Sequence, residues 1–379
     1  MRKIIIIGAA HPYRGGLATF NEQLAISLQN RNHEVRIETF TLQYPSILFP
    51  GKTQFTTESA PKNININRSI NTINPFNWIS FGLKIKKEKP DLVIFKFWIP
   101  FVAPCFGTIS RIIKQNKHTK ILAINDNVIP HEKRPFDNQL INYFINGCNG
   151  FICMSKNVMD DLIKFNIKKP SILTPHPIFN NFGKSVTKEI AIAELNFDKD
   201  FMYLLFFGFI RGYKGLDLLL KAMAHDKIKN RKIKLIIAGE FYEDAQNYLN
   251  LIDDLGIKDN VILKTEFIPN SEVYKYFCAC DIVVQPYKSA TQSGVTQIAY
   301  HFDKPMIVTN VGGLPEMIPH QKVGFVVNPD PNEIASAIDH FFATDPSFYV
   351  KNIQEEKKKY SWDIFSEKIE QLYSSLLKG

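Results

Sequence analysis

FMYLLFFGFIRGYKGLDLLLKAM (201–223) holds the whole pattern in one stretch: an apolar strand-like run reaches Gly208, a loop carries Arg211 and Lys214, and Gly215 opens an amphipathic helix. Short apolar runs that end in glycine behave as buried parallel strands, and a helix that follows at once must return over the sheet. Outward from this stretch the motif recurs. Strands are predicted at 232–240, 260–267, 281–287, 304–310 and 324–328, with helices at 215–224, 243–255, 271–279, 294–302, 331–343 and 361–377. The N-terminal half repeats the theme with strands at 3–9, 33–40, 91–98, 120–126 and 150–155 and helices at 17–30, 99–115 and 137–147. The expected fold class is α/β, with two Rossmann-like doubly wound domains. The polar segment 180–200 has the weakest periodicity, so the boundary is set at 182/183. In such sheets a ligand cleft is expected at the carboxyl ends of the strands, between the two domains.

The chain has 379 residues, enough for two domains at ~100–200 residues each, and its 45% apolar and 22% charged composition excludes a disordered or collagen-like chain. The apolar stretch 92–109 contains Lys96, Pro100 and Pro104 and is unsuited to spanning a membrane. The four isoleucines at 4–7 are too few for a signal peptide, so a cytoplasmic location is expected. Five cysteines without a C-x-x-C read as core thiols. Charge is uneven: residues 1–180 hold 23 Lys and Arg against 11 Asp and Glu, a balance of +12, while the rest carries −3. The basic runs 83–90 and 111–120 suit an anionic membrane or an acidic substrate, and no nucleic-acid recognition module is visible.

Three loops carry candidate chemistry. Arg211 and Lys214 stand just past a strand beside helix-terminal N–H groups, a plausible phosphate site. SATQSG (289–294) precedes a helix that starts near Gly294, and a Gly312-Gly313 turn with Glu316 follows the strand 304–310. Gly15 and Gly16 lie between the first strand and the first helix. With Gly8 they give G-x6-G-G, not G-x-G-x-x-G, and the nearest acid on the second strand is Glu38, which counts against a nicotinamide dinucleotide.

The order and spacing of these segments resemble the retaining GT-B glycosyltransferases of family 4, over nearly the whole chain. RGGLATFNEQLAISLQNRNHEV, FGFIRGYKGLDLLLKAMA, CACDIVVQPY, KPMIVTNVGGLPEMI and VGFVVNPDPNEIASAI follow in family order, and YSWDIFSEKIEQLY (360–373) is similar to the closing helix that crosses back to the first domain. The resemblance implies an acceptor-side domain at 1–182 and a nucleotide-sugar donor domain at 183–360. It implies that Arg211 and Lys214 neutralise a donor pyrophosphate, that Ser293, Gly294 and Val295 face the same phosphates, and that Gly15 and Gly16 approach the donor from the first domain. Glu240 and Phe241 would border the donor base. A family histidine position falls on Asp126, with His131 and Glu132 shortly after, so these are candidates for contact with donor hydroxyls or acceptor. His176 is expected to be structural.

One departure is plain. The family's E-x7-E falls on Ala290 and Ile298, or one residue earlier on Ser289 and Gln297, and no Asp or Glu occurs from Ile282 to Phe302. Gln292, Ser293 and Thr296 offer neutral hydrogen bonds instead. The expected function is transfer of a sugar from a nucleotide-diphosphate sugar to a glycan or lipid-linked acceptor, retaining, with no metal and no cofactor beyond the co-substrate. The enzyme would work in the cytoplasm or at the inner membrane face. A non-catalytic nucleotide-sugar-binding subunit and an NAD-dependent dehydrogenase are the alternatives.

Overall fold

The computed structural model describes residues 1–45, 53–130, 134–165, 167–179, 182–291 and 293–378. The candidates His131, Glu132 and Gln292 therefore lie outside the described residues. The chain divides into two compact units, Met1–Pro177 with Ser361–Gly379, and Ile178–Tyr360. The division falls five residues before 182/183, where the two crossing strands of chain run side by side: Ile178 N donates to Tyr360 O at 2.8 Å.

The first unit is a parallel sheet of β1 (Lys3–Ile7), β2 (Glu34–Leu42), β3 (Asn65–Asn71), β4 (Leu92–Phe97), β5 (Lys120–Asn125), β6 (Gly150–Cys153) and β7 (Ser171–Leu173), in the order β3-β2-β1-β4-β5-β6-β7. β1 and β4 are buried on both faces, which is why they read as unbroken apolar runs. Phe95 and Phe97 pack on Phe106 and Phe144 at ring separations of 5.0 and 4.7 Å to make the core on one face. On the other face the helix Gly16–Asn30 packs against the closing helix Trp362–Lys378. Phe20 lies 5.1 Å from Trp362 and 5.6 Å from Phe365, and Arg31 pairs with Glu370 at 2.7 Å.

The second unit is also parallel: β8 (Met202–Phe207), β9 (Ile233–Ala238), β10 (Val261–Lys264), β11 (Ile282–Gln285), β12 (Met306–Thr309) and β13 (Gly324–Val327), ordered β10-β9-β8-β11-β12-β13. In each sheet the strand order reverses once, between β1 and β4 and between β8 and β11. In doubly wound sheets the loops leaving such a strand pair diverge to opposite faces, and a ligand crevice is expected at that point.

Several elements depart from expectation. The helix expected at 99–115 starts as a 3-10 turn, Pro100–Val102, before Ala103–Lys114, because the prolines suit first-turn positions only. The polar segment 180–200 holds a helix, Lys188–Leu195, capped by Thr187 and closed by left-handed Asn196. The basic run 83–90 belongs to the helix Pro75–Glu88. Cys105, Cys148, Cys153, Cys278 and Cys280 are all buried and free, and burial pushes Cys148, Cys153 and Cys280 up to about 12. Among the described residues no helix is long and apolar enough to cross a membrane.

Candidate functional site

In the second unit four loops at the carboxyl ends of the strands are locked together through glycine. Gly208, just past β8, has φ +98, and a Cβ on Gly239 would stand 2.2 Å from Gly208 O. Gly215 (φ +66) would place a Cβ 1.9 Å from Pro286 O. Gly312 (φ +56) would place one 1.4 Å from Ala290 O. No other residue fits these approaches. Backbone bonds complete the lattice: Ile210 N to Glu240 O at 2.8 Å, Lys288 N to Tyr213 O at 2.7 Å, and Gly313 N to Thr291 O at 3.1 Å.

Within this frame Lys214 Nζ lies 3.1 Å from the point where a Gly208 Cβ would be and 5.7 Å from the Tyr287 ring centre. Val295 Cγ2 is 3.8 Å from the same point, so Gly208, Lys214 and the start of the helix Gly294–His301 meet at one place. Ser293 caps that helix: its Oγ accepts from Val295 N at 3.2 Å and lies 3.2 Å from Tyr287 Oη. The Arg211 guanidinium sits 5.1 Å from the Tyr242 ring centre. Among the described residues neither Arg211 nor Lys214 has an ion-pair partner; the nearby Lys288, by contrast, is matched by Asp217 at 2.8 Å. Burial, helped by the Arg211 charge, lowers Lys214 to about 8.

Glu240 is buried and Phe241 half-buried in the loop after β9, while Glu316 is exposed in the turn Pro315–Met317. Ala290 and Ile298, where the paired glutamates would fall, are buried. Gln285 and Thr296 hydrogen-bond each other at 3.1 Å, and Gln297 donates to Met317 Sδ at 3.0 Å with its Oε1 left unmatched. These positions are neutral and buried.

The folded value of Lys214, about 8, is below the ordinary 10.5, so the unfolded chain binds the proton more tightly. The folding penalty is full below pH 8 and fades as pH rises through 8 to 10.5. Lys214→Met is therefore expected to raise the ligand-free Tm near neutral pH by ~2 °C or more, with no gain once the unfolded lysine is also neutral. A lower Tm in calorimetry near neutral pH would mean that the ammonium is well matched in the ligand-free protein.

The first unit has its own constellation at the β1/β4 reversal. Gly15 (φ +96) opens the helix Gly16–Asn30 with no side-chain cap, and among the described residues nothing lies within 4 Å of a Cβ on Gly15 or Gly16. Asp126, just past β5, accepts from Lys96 Nζ at 2.8 Å. Lys96 is fully buried on β4, and its ammonium lies 3.4 Å from the Phe20 ring centre. His176 packs on Phe20 at 5.0 Å, donates from Nδ1 to Pro177 O at 2.7 Å, and is lowered to about 3 by burial and the Lys96 charge. It stays neutral, in keeping with a structural role.

In the sequence Lys96 serves only to exclude a membrane span, although a charge inside an otherwise apolar central strand is also the signal of a buried partner. Glu38 is buried and accepts from Arg36 Nε at 2.8 Å and Ser69 Oγ at 2.6 Å, so it is not available to a ribose. On the same helix as Gly16, burial raises Glu22 to about 7, opposed by a 2.8 Å bond from His11 N. Its folded value exceeds the ordinary 4.5, so stability is lost as pH rises from 4.5 through 7. Glu22→Gln is expected to stabilise by roughly 1–3 kcal/mol above neutral pH and to do nothing in acid. Urea melts at the two pH extremes check this.

Two family models match consecutive parts of the chain, Glycosyltransferase Family 4 over residues 14–178 and Glycosyl transferases group 1 over residues 187–373. Sucrose-phosphate synthase from Thermosynechococcus elongatus superposes with a TM-score of 0.77 over 100% of both chains at 18% identity. The chain is a GT-B glycosyltransferase, related to the group 1 family. HepE from Anabaena, in complex with UDP-glucose, matches this glycosyltransferase with a TM-score of 0.73 at 15% identity, covering 99% of this chain and 100% of its own. An uncharacterized glycosyltransferase of Methanocaldococcus jannaschii is 25% identical over 390 aligned positions, 99% of this chain and 98% of its own. Against several other curated relatives the match spans only 44%, 32% and 46% of their length.

Proposed function

We propose that this glycosyltransferase binds a nucleotide-diphosphate sugar in its second unit and transfers the sugar, with retention, to a glycan or lipid-linked acceptor presented by the first. One observation carries the reading: two cations with no ion-pair partner among the described residues stand at the β8/β11 reversal beside a capped helix start and a side chain-free glycine backbone. A diphosphate fits that chemistry, since it supplies the missing negative charge and accepts from backbone N–H groups.

Charge grows on the leaving diphosphate as the sugar–oxygen bond breaks. Fixed cations at that point stabilise the transition state more than the ground state. No protein nucleophile is evident, so the acceptor hydroxyl attacks on the face from which the phosphate departs, and the departing phosphate takes its proton. Asp126 and the Gly15–Gly16 backbone are assigned to sugar or acceptor, Glu240 and Phe241 to the base. The neutral Ser293, Thr296 and Gln297 side stands where carboxylates would otherwise hold hydroxyl groups. The +12 balance of residues 1–180 supports work against an anionic surface at the cytoplasmic face of a membrane.

The test is a thermal-shift panel of UDP-, GDP- and other nucleotide sugars, followed by transfer assays with the donors that stabilise. At least one is expected to raise Tm and to turn over. No shift with any nucleotide sugar would sink the reading.

A further inference from the structure

The helix Pro75–Glu88 is firmly built. Asn74 caps it, accepting from Phe76 N and Asn77 N at 3.0 and 3.3 Å; Pro75 stands at its first turn; and Trp78 Nε1 donates to Asn71 O at 2.7 Å. Phe81, Gly82 and Ile85 are buried, and a Cβ on Gly82 would stand 3.0 Å from Ile112 Cβ, so this face is seated on the helix Ala103–Lys114. At 100° per residue the stripe 78, 81/82 and 85 is the inner one, and 76, 79 and 83 lie on the opposite side.

That outer side should be polar on a surface helix, and it is not. Phe76 is 83% exposed, Ile79 46% and Leu83 50%, with Ile73 at 51% just ahead of the helix. Lysines border the stripe: Lys84 and Lys87 are exposed and make no ion pair among the described residues, Lys89 closes the helix, and Lys117 is exposed on the neighbouring segment. The helix's one acid, Glu88, is taken up by Arg36. An apolar ridge fringed by lysine matches a layered partner, apolar within and anionic at its surface. Protein interfaces place aromatic residues and arginine in such a patch and are depleted in lysine.

We propose that this face seats the protein on an anionic lipid bilayer, with Ile73, Phe76, Ile79 and Leu83 entering the acyl boundary and Lys84, Lys87 and Lys89 meeting the headgroup phosphates. The proposal deepens the reading of a membrane-side acceptor, but the binding itself needs neither donor nor turnover.

The full chain is sedimented with phosphatidylcholine vesicles and with vesicles in which roughly one lipid in three is phosphatidylglycerol, at about 0.05 M and about 0.5 M NaCl. Binding is expected at least ~10-fold stronger to the anionic vesicles at low salt. Phe76→Ser with Leu83→Ser is expected to weaken it ~10-fold or more at either salt. Lys84→Gln with Lys87→Gln is expected to remove much of the salt dependence. All variants keep the thermal shift with the best nucleotide sugar, which separates loss of docking from failure of the donor reading. The proposal is overturned if wild type pellets equally with neutral and anionic vesicles, or if the Phe76/Leu83 variant pellets like wild type. It is overturned too if ultracentrifugation shows a dimer that this variant dissolves, since the face then belongs to a second copy.

Discussion

Arg211→Ala and Lys214→Ala are each expected to lower kcat/KM with the preferred donor by roughly 1.5–3 kcal/mol, about ten- to a hundred-fold. The size follows from geometry. Each is a cation beside an aromatic face, with no carboxylate paired to it among the described residues. Lys214 is enclosed enough that its proton is already loosened to about 8 in the ligand-free protein. A charge-assisted bond to a phosphate forms in that low-dielectric setting and strengthens as the leaving group becomes more negative. Because the charge builds up in the transition state, part of the loss falls on kcat; a purely ground-state contact would raise KM alone. Lys214→Arg keeps the charge but cannot occupy the narrow space over Gly208, so it is expected to recover little. Steady-state kinetics on the three variants decide the matter, and wild-type kinetics in both alanine variants would remove the phosphate assignment. Donor affinity is also expected to weaken above pH 8, as Lys214 loses its proton, and Lys214→Arg is expected to abolish that dependence.

How much of this was legible beforehand depended on whether a feature is local. Strand–loop–helix units show themselves because apolar runs, a terminal glycine and a helical stripe are contiguous, and β1, β4, β8 and β11 were all readable in that way. The loop proposed to hold the donor is legible too: glycine and two cations within eight residues, 208–215, are a local pattern. The glycine lattice was not. That Gly215 meets Pro286 O and Gly312 meets Ala290 O depends on loops some 70 and 20 residues apart arriving at the same point. β3, NINRSIN, hid because an edge strand has few apolar residues to bury. The helix Pro75–Glu88 hid because it is apolar on both sides and basic at its end, so no single stripe stood out. Asp126 stands out as a loop acid, whereas its partner thirty residues earlier reads in the sequence only as a charge that bars a membrane span.

That partner gives the largest expected change in stability. Lys96→Met is expected to destabilise the protein by about 3–5 kcal/mol, the usual consequence of removing one member of a buried pair. Lys96 is fully buried, its ammonium lies between the Asp126 carboxylate at 2.8 Å and the face of Phe20 at 3.4 Å, and burial pulls its proton affinity down against the pull of Asp126. Methionine fills the stem volume but leaves Asp126, mostly buried itself, without the ammonium. The deficit is expected to be full where that carboxyl group is ionised and to shrink as acid protonates it. Adding Asp126→Asn removes the carboxylate charge as well, and the double variant is expected to regain most of the loss, giving a coupling energy of ~2 kcal/mol or more in the cycle. Urea unfolding of the four proteins at neutral and mildly acidic pH measures all of this. A single-variant loss below ~1 kcal/mol, flat with pH, would mean that the pair is solvated. The double variant also separates the roles of Asp126: folded and stable, it is expected to keep the nucleotide-sugar thermal shift, which we assign to the second unit, and to lose transfer if the carboxylate touches sugar or acceptor. Transfer at the wild-type rate would leave the pair a purely structural device and free the β1/β4 reversal of any part in the reaction.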